Sequence, residues 1–114
     1  MSQAIRLLLE PVRSLGFASI LGAGVYTGIG TSINNPARMI LIQNITNANL
    51  MFSWDGINNH FPMIQYSHIV LDITSNKTRE SGFFMAEGQR LYVTQMDAPT
   101  LGAVYLSVFY GKDI

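Results

Sequence analysis

The sequence contains no cysteine among its 114 residues, so neither disulfides nor thiolate metal sites can support its fold. Charged residues are also scarce. They make up 12% of the chain, about half the share of an average soluble domain. Seven basic and seven acidic residues give a formal net charge of zero. Nucleic-acid binding needs a basic surface that displaces counterions, so this composition argues against a nucleic-acid partner.

Long apolar runs are absent as well. A membrane-spanning helix needs about 18 consecutive apolar residues. The charge-free window 15–36 comes nearest, but it holds five glycines together with serine, threonine and asparagine. The first residues lack the small-residue cleavage site of a secretory signal. We therefore expect neither a secretory signal nor a membrane partner.

Motifs for cofactor binding and catalysis are missing. The glycines at 22, 24, 28 and 30 lack both the dinucleotide spacing and the lysine of a phosphate-binding loop. No Gly-x-Ser-x-Gly elbow accompanies the two histidines, His60 and His68. We expect a non-enzymatic protein without a cofactor, and a small hydrolase is the least favoured alternative.

One loop gathers oxygen-bearing side chains that could suggest a metal site. Asp55, Asn58, Asn59 and His60 lie within six residues of each other. Their spacing does not match a calcium-binding loop, which needs ligands at alternate positions and a distal glutamate. Asp55 is followed by glycine, a strong turn dipeptide after an alternating strand. The pattern favours a turn, and we predict no metal.

Short apolar stretches separated by turn residues are what the sequence does have. Seven or eight stretches, most of four to nine residues and a shorter one of three at 83–85, recur with turns about every ten residues. No helical pattern separates them. The spacing predicts an all-β fold for residues 15–114, a compact antiparallel β-sandwich of the jelly-roll-like or immunoglobulin-like type.

Residues 1–14 are predicted to form an N-terminal arm outside that domain. Residues 4–10 have the apolar spacing of a short helix, and Pro11 ends it. Leu8 and Leu9 lie on the apolar side of this helix, which is too short to be stable without docking. The arm either packs on its own domain or reaches a neighbouring subunit, so both leucines are candidate interface residues.

The strand predicted at 102–111 is apolar on both faces. Its side chains alternate between Val104, Leu106, Val108 and Tyr110 on one side and Ala103, Tyr105, Ser107 and Phe109 on the other. A two-layer domain of this size covers only one of these faces with its own core. We expect a second copy or another partner to cover the other face, with Tyr105 and Phe109 as the main interface residues. The strand at 38–44 has the same two-sided character.

Two methionines are weaker candidates for the same role. Met51 lies opposite the apolar side of its predicted strand, and Met63 lies between two strand patterns. Methionine is flexible and polarisable, which suits it to interfaces. Core packing is the competing interpretation for each of them.

Four segments resemble small virion proteins of tailed bacteriophages. They are 44–62 (NITNANLMFSWDGINNHFP), 71–77 (LDITSNK), 88–93 (GQRLYV) and 99–105 (PTLGAVY). In that family an N-x-T turn precedes a strand ending in Phe-Ser-x-Asp-Gly, and a Leu-Asp-x-Thr-Ser-Asn-Lys stretch and a Thr-x-Gly-x-Val-Tyr strand follow. The resemblance covers about residues 15–111.

The resemblance implies a structural component of the virion, assembled in the host cytoplasm. It implies many copies that decorate or cement the capsid or sit at the head–tail junction. The expected partners are other copies of the chain and major capsid, portal or tail proteins. The family offers no catalytic residues to carry over.

A carbohydrate- or receptor-binding β-module is the alternative function. It would use Trp54, His60 and the neighbouring loop amides. An aromatic ring beside amide groups in an exposed loop suits ligand recognition.

Overall fold

The computed structural model describes residues 5–22, 24–72 and 88–113. Within these ranges the chain forms nine strands and one three-residue 3-10 helix, Phe17–Ser19. The strands are β1 (Ile5–Leu9), β2 (Arg13–Gly16), β3 (Thr27–Gly28), β4 (Ala37–Thr46), β5 (Leu50–Ser53), β6 (Phe61–Met63), β7 (Ser67–Asp72), β8 (Tyr92–Gln95) and β9 (Gly102–Asp113). The all-β prediction is confirmed. No helix within the described ranges is long and apolar enough to cross a membrane.

The strands form two antiparallel sheets. The first has the order β1-β9-β4-β7, and β2 also pairs with β9. β1 pairs with residues 109–113 of β9 and β2 with residues 103–106, so both lie along the edge of β9 opposite β4. The second sheet has the order β3-β8-β5-β6.

A single hydrophobic core lies between the two sheets. It draws Ile40 and Leu106 from the first sheet, and Phe52 and Val93 from the second, all 0% exposed. The rings of Phe52 and Phe61 stack at a centroid distance of 5.4 Å. Two antiparallel sheets that enclose one core make a sandwich-like arrangement.

The predicted N-terminal helix is wrong, because Ile5–Leu9 is a strand. It pairs with five residues of β9, from Phe109 to Asp113. A two-turn helix gains few internal hydrogen bonds and is marginal in water. The long strand β9 offers an edge of backbone donors and acceptors. Pairing along this edge satisfies the backbone hydrogen bonds of both strands. The expected boundary between residues 14 and 15 falls inside β2, which belongs to the same sheet.

Two further elements differ from the predicted pattern. Phe61–Met63 forms the short strand β6, which the sequence analysis did not anticipate. The start of the domain predicted at 15–114 is not a separate strand, because residues 15 and 16 end β2 and the 3-10 helix Phe17–Ser19 follows. The predicted strand at 83–85 lies outside the described residues.

The start of β9 requires a glycine. Gly102 has a φ of +91°, and a Cβ there would overlap the carbonyl oxygen of Ile45 on the neighbouring strand β4. Glycine permits both this backbone conformation and the close approach. β9 can therefore pair with β4 from its first residue, opposite Thr46.

Candidate interaction surface

The first sheet presents an apolar surface on the side that faces away from the core. In β9, Val104, Leu106 and Val108 are 0% exposed and face inward. The alternating residues Tyr105 and Phe109 face outward and are half-buried. We call this outward side the outer face. Its residues are Leu7, Leu9, Ser14, Met39, Leu41, Gln43, Ile45, His68, Val70, Asp72, Ala103, Tyr105, Ser107 and Phe109.

The register of the sheet brings the apolar members of the outer face together. Directly paired residues in antiparallel strands lie on the same face. Leu9 pairs with Phe109, which pairs in turn with Met39. In the next row on this face, Leu41 pairs with Val70 and with a serine of β9. Four strands thus contribute to one continuous apolar patch.

Several of these side chains are strongly exposed. Leu9 is 57% exposed, Val70 55% and Leu7 54%. Single exposed apolar residues are normal on a soluble protein, but a contiguous patch marks an interaction surface. Among the outer-face residues named above, the acidic and basic side chains are His68 and Asp72, both on the edge strand β7.

The predicted interface residues do not all belong to this surface. Tyr105, Phe109 and Leu9 lie on it. Leu8 lies on the opposite face of β1, paired with Tyr110.

The two methionines lie away from the outer face. Met51 belongs to the second sheet, paired with Pro62 and Thr94, and is half-buried. Met63 is 3% exposed and belongs to the core, so it is not accessible to a partner in the folded chain.

Leu7 and Val70 belong to the outer face, although neither was predicted as an interface residue from the sequence. Leu7 was assigned to a helix, where alternation between two faces has no meaning. Val70 stands between Ile69 and Leu71, which pack against the core. Three consecutive apolar residues in a strand are a sign that both faces are apolar.

A buried ion pair fixes the junction between β1 and β2. The carboxylate of Glu10 lies 2.8 Å from Nη2 of Arg13, and the two side chains are 3% and 7% exposed. Arg13 Nε donates a hydrogen bond to the Thr31 carbonyl at 2.8 Å, and Nη2 donates to the Ser32 carbonyl at 2.9 Å. The backbone N–H of Glu10 donates to the Val108 carbonyl. The pair therefore ties the edge of the first sheet to the loop before β4.

The electrostatics of Glu10 favour its ionised form. Burial raises the pKa of this carboxyl, but hydrogen bonds from the Asn35 side chain and the Asn34 backbone oppose it. The hydrogen bond and the charge of Arg13 add to them, and the net pKa lies below its ordinary value of 4.5. Glu10 is thus held as a carboxylate at neutral pH.

The alternative site, the loop from Ser53 to His60, uses its polar groups to hold its own shape. The Asp55 carboxylate accepts hydrogen bonds from the backbone N–H groups of Asn58 and Ile57, both at 2.8 Å. These bonds, with those from the Asn58 amide and the Ser53 hydroxyl, hold the pKa of Asp55 well below its usual range. His60 Nδ1 accepts from the Trp54 backbone N–H at 2.9 Å. The predicted turn is thus a hydrogen-bonded loop.

The aromatic and amide groups of this loop are also engaged. Trp54 is half-buried and packs against the core. The Asn59 side chain accepts a hydrogen bond from the hydroxyl of Tyr26. Across the described part of the chain, no group of three histidine or carboxylate side chains is placed to hold a metal ion.

No protein-family model matches the chain, and no curated protein is significantly similar to it.

Proposed function

We propose that the chain is a non-enzymatic structural protein of a tailed-phage virion. It works by assembling in many copies through the outer face, as capsid decoration or cement or as part of the head–tail junction. The observation that carries the proposal is the outer face itself. Its apolar rows run across four strands and, in the described chain, are not covered by a second layer. Burying them against another surface would be favourable in proportion to the area removed from water.

The connectivity of the strands supports this proposal. If β1 and β2 count as one interrupted strand, the described residues form eight strands in two sheets of four. In chain order the sheets then read 1-8-3-6 and 2-7-4-5, which is the jelly-roll arrangement. Jelly rolls occur in viral capsid proteins and in lectins. Fold alone does not choose between these roles, so the choice rests on the surface.

The surface favours assembly over ligand binding. The expected partners are other copies of the chain and the major capsid, portal or tail proteins. Each would need only a complementary apolar surface with a polar rim, which is the usual anatomy of a protein interface.

The test is protein mass spectrometry of density-purified particles of the phage that encodes the chain. We expect many copies of the chain per particle, and we expect them to remain bound through a salt wash because the contact is apolar. Recovery of the chain only in the soluble fraction of the lysate would overturn the proposal.

A carbohydrate-binding role is the alternative, and the loop containing Trp54 and His60 would serve it. The test is a glycan array probed with the intact chain and with Trp54→Ala. Binding that disappears in the variant, while its circular dichroism spectrum is unchanged, would replace the assembly proposal with this one.

A further inference from the structure

We propose that the partner seated on the outer face is the outer face of a second copy, packed across a two-fold axis. The inference rests on the proposed function, because it names the partner of the same surface. The resulting dimer has four layers, with the two first sheets in the middle and the two second sheets outside. Every contact in it occurs twice, as in any two-fold interface.

The size of the outer face suits a dimer. It is four strands wide, with β1 and β2 sharing one position, and neighbouring strands lie about 4.8 Å apart. Its length from Ala103 to Gly111 is about 27 Å at a rise of about 3.4 Å per residue. The projected area is therefore about 500 Å² per copy and about 1,000 Å² for two, before the relief of the side chains is counted. That total reaches the lower limit of specific protein interfaces, so we expect a reversible dimer.

The chemistry of the outer face suits contact with itself. The polar groups inside it are the Tyr105 and Ser107 hydroxyls and the Gln43 amide, and each of these groups both donates and accepts hydrogen bonds. Such groups can pair with their own copies, whereas a set of donors alone could not. Asp72 ends the row that contains Phe109 and Met39, and it lies on the edge strand β7. In a dimer of outer faces it therefore falls at the rim of the contact, where interfaces are polar and solvent-accessible.

Long-range electrostatics do not oppose the contact. The formal net charge of the chain is zero. Two copies therefore approach without the repulsion that keeps charged proteins apart. We expect only a weak dependence of dimerisation on salt.

The first experiment is sedimentation-velocity ultracentrifugation of the intact chain over about a hundred-fold range of concentration. We expect a monomer–dimer equilibrium. Leu9→Ser and Val70→Ser should each weaken the dimer about tenfold, because each removes apolar contact area on both sides of the axis. Both side chains are more than half exposed in the single chain, so the folded monomer should persist.

Ile57→Ser is the matched control. Ile57 is 81% exposed and lies in the loop after β5, away from the outer face. Like Val70→Ser, Ile57→Ser replaces an exposed aliphatic side chain by serine, and it should leave the dimer dissociation constant unaltered. Equal weakening by Ile57→Ser and Val70→Ser would indicate non-specific association and would overturn the inference.

The second experiment locates the contact by NMR on a mixture of isotope-labelled and unlabelled chains. Intermolecular NOEs are expected from the methyl groups of Met39, Leu41 and Val70, and none from Met51 on the second sheet. A dimer whose NOEs lie elsewhere, or a chain that stays monomeric at the highest concentration, would overturn the inference. If such a monomer is still abundant in purified particles, the structural role stands and the outer face binds a different virion protein. Absence from the particles would remove the proposed function as well.

Discussion

The two sheets of this protein treat their outward sides differently. The second sheet is built from strands of two to four residues, and loops of the chain cover part of its outward side, although Pro62 on β6 stays exposed. Its residue Thr94 is 4% exposed because the segment before Gly22 lies against it, with the Leu21 carbonyl accepting a hydrogen bond from the Thr94 hydroxyl. The ring of Tyr92 lies beneath Gly56 of the loop after β5 and beside the Arg90 guanidinium.

The first sheet has the longer strands, and its outward side carries strongly exposed apolar residues, with Leu7, Leu9 and Val70 all more than half exposed. β4 has ten residues and β9 has twelve, and their outward side chains lie in directly paired rows, Met39 with Phe109 and Leu41 with Ser107. Among the described residues, loops complete one side of the sandwich and strands alone form the other. The difference teaches that apolar content by itself does not identify an interaction surface. What identifies it is apolar content that the chain leaves uncovered.

Removing a core residue shared by both sheets should have the largest effect. Phe52 is 0% exposed and stacks on Phe61. Phe52→Ala should lower the free energy of unfolding by about 3–5 kcal/mol, since it leaves a cavity between the sheets. Urea unfolding followed by circular dichroism measures this. A loss below about 1 kcal/mol would mean that the sheets do not depend on a common core.

Breaking the buried ion pair should come next. Arg13→Ala leaves the Glu10 carboxylate buried without its cation, and we expect a loss of about 3 kcal/mol. The loss should be concentrated at the edge of the first sheet, where hydrogen exchange of the β1 amides should accelerate more than that of the β5 amides. Equal acceleration in both strands would show that the pair supports the whole fold and not one edge.

The same pair predicts a dependence of stability on pH. The pKa of Glu10 is lower in the folded chain than its ordinary value of 4.5. The contribution of Glu10 to the stability of the folded chain is therefore fully present above the pKa that Glu10 has in the unfolded chain. It is lost as the pH falls through the pKa that Glu10 has in the folded chain. Asp55 acts in the same direction. Urea midpoints between about pH 6 and about pH 3 should fall less in Glu10→Gln than in the natural chain. If the urea midpoint of Glu10→Gln falls with pH as steeply as that of the natural chain, other carboxyl groups dominate acid unfolding.

Much of this architecture could be predicted from the sequence, and the failures have physical causes. Alternation in a strand fixes which residues share a face, so both sides of β9 were assigned correctly before its partners were known. Alternation does not reveal which segment pairs with an open edge, and the N-terminal residues were therefore assigned to a helix. Local spacing favoured that helix, but a contact with residues about a hundred positions away decided the outcome.

The candidate surface was harder to predict than the fold. Met51 and Met63 are equally apolar, yet one lies on the second sheet and the other in the core. Whether a side chain is covered depends on the packing of distant loops, which periodicity does not contain. Val70 became a candidate only when the register placed it beside Leu41.

Disturbing the loop that covers Tyr92 on the second sheet should lower the stability less than Phe52→Ala or Arg13→Ala does. Gly56 has a φ of +75°, and a Cβ there would meet the Tyr92 ring at 3.3 Å. Gly56→Ala should cost about 1 kcal/mol through backbone strain and displacement of the loop. Proton NMR of the Tyr92 ring would follow the displacement. If this loop were the ligand site of a lectin, the variant would also lose glycan binding, whereas the assembly proposal expects unchanged dimerisation.

The smallest effect on folding is expected on the outer face. Val70→Ser should change the free energy of unfolding of the monomer by no more than about 0.5 kcal/mol, because the side chain is already 55% exposed. The measurement is urea unfolding at a concentration where the chain is monomeric. A large loss would mean that Val70 belongs to the fold and that the first sheet is already complete in a single copy.

The central place of β9 in the first sheet also bears on when the outer face can form. β9 is the last of the described strands to leave the ribosome, and it is the direct neighbour of β1, β2 and β4. Until β9 is synthesised, β1 and β2 have no strand that joins them to β4, and the paired rows of the outer face cannot form. Pairings over such long sequence separations close slowly. Under the proposed assembly, a nascent chain that has not yet released β9 therefore lacks the surface through which it would contact its sisters.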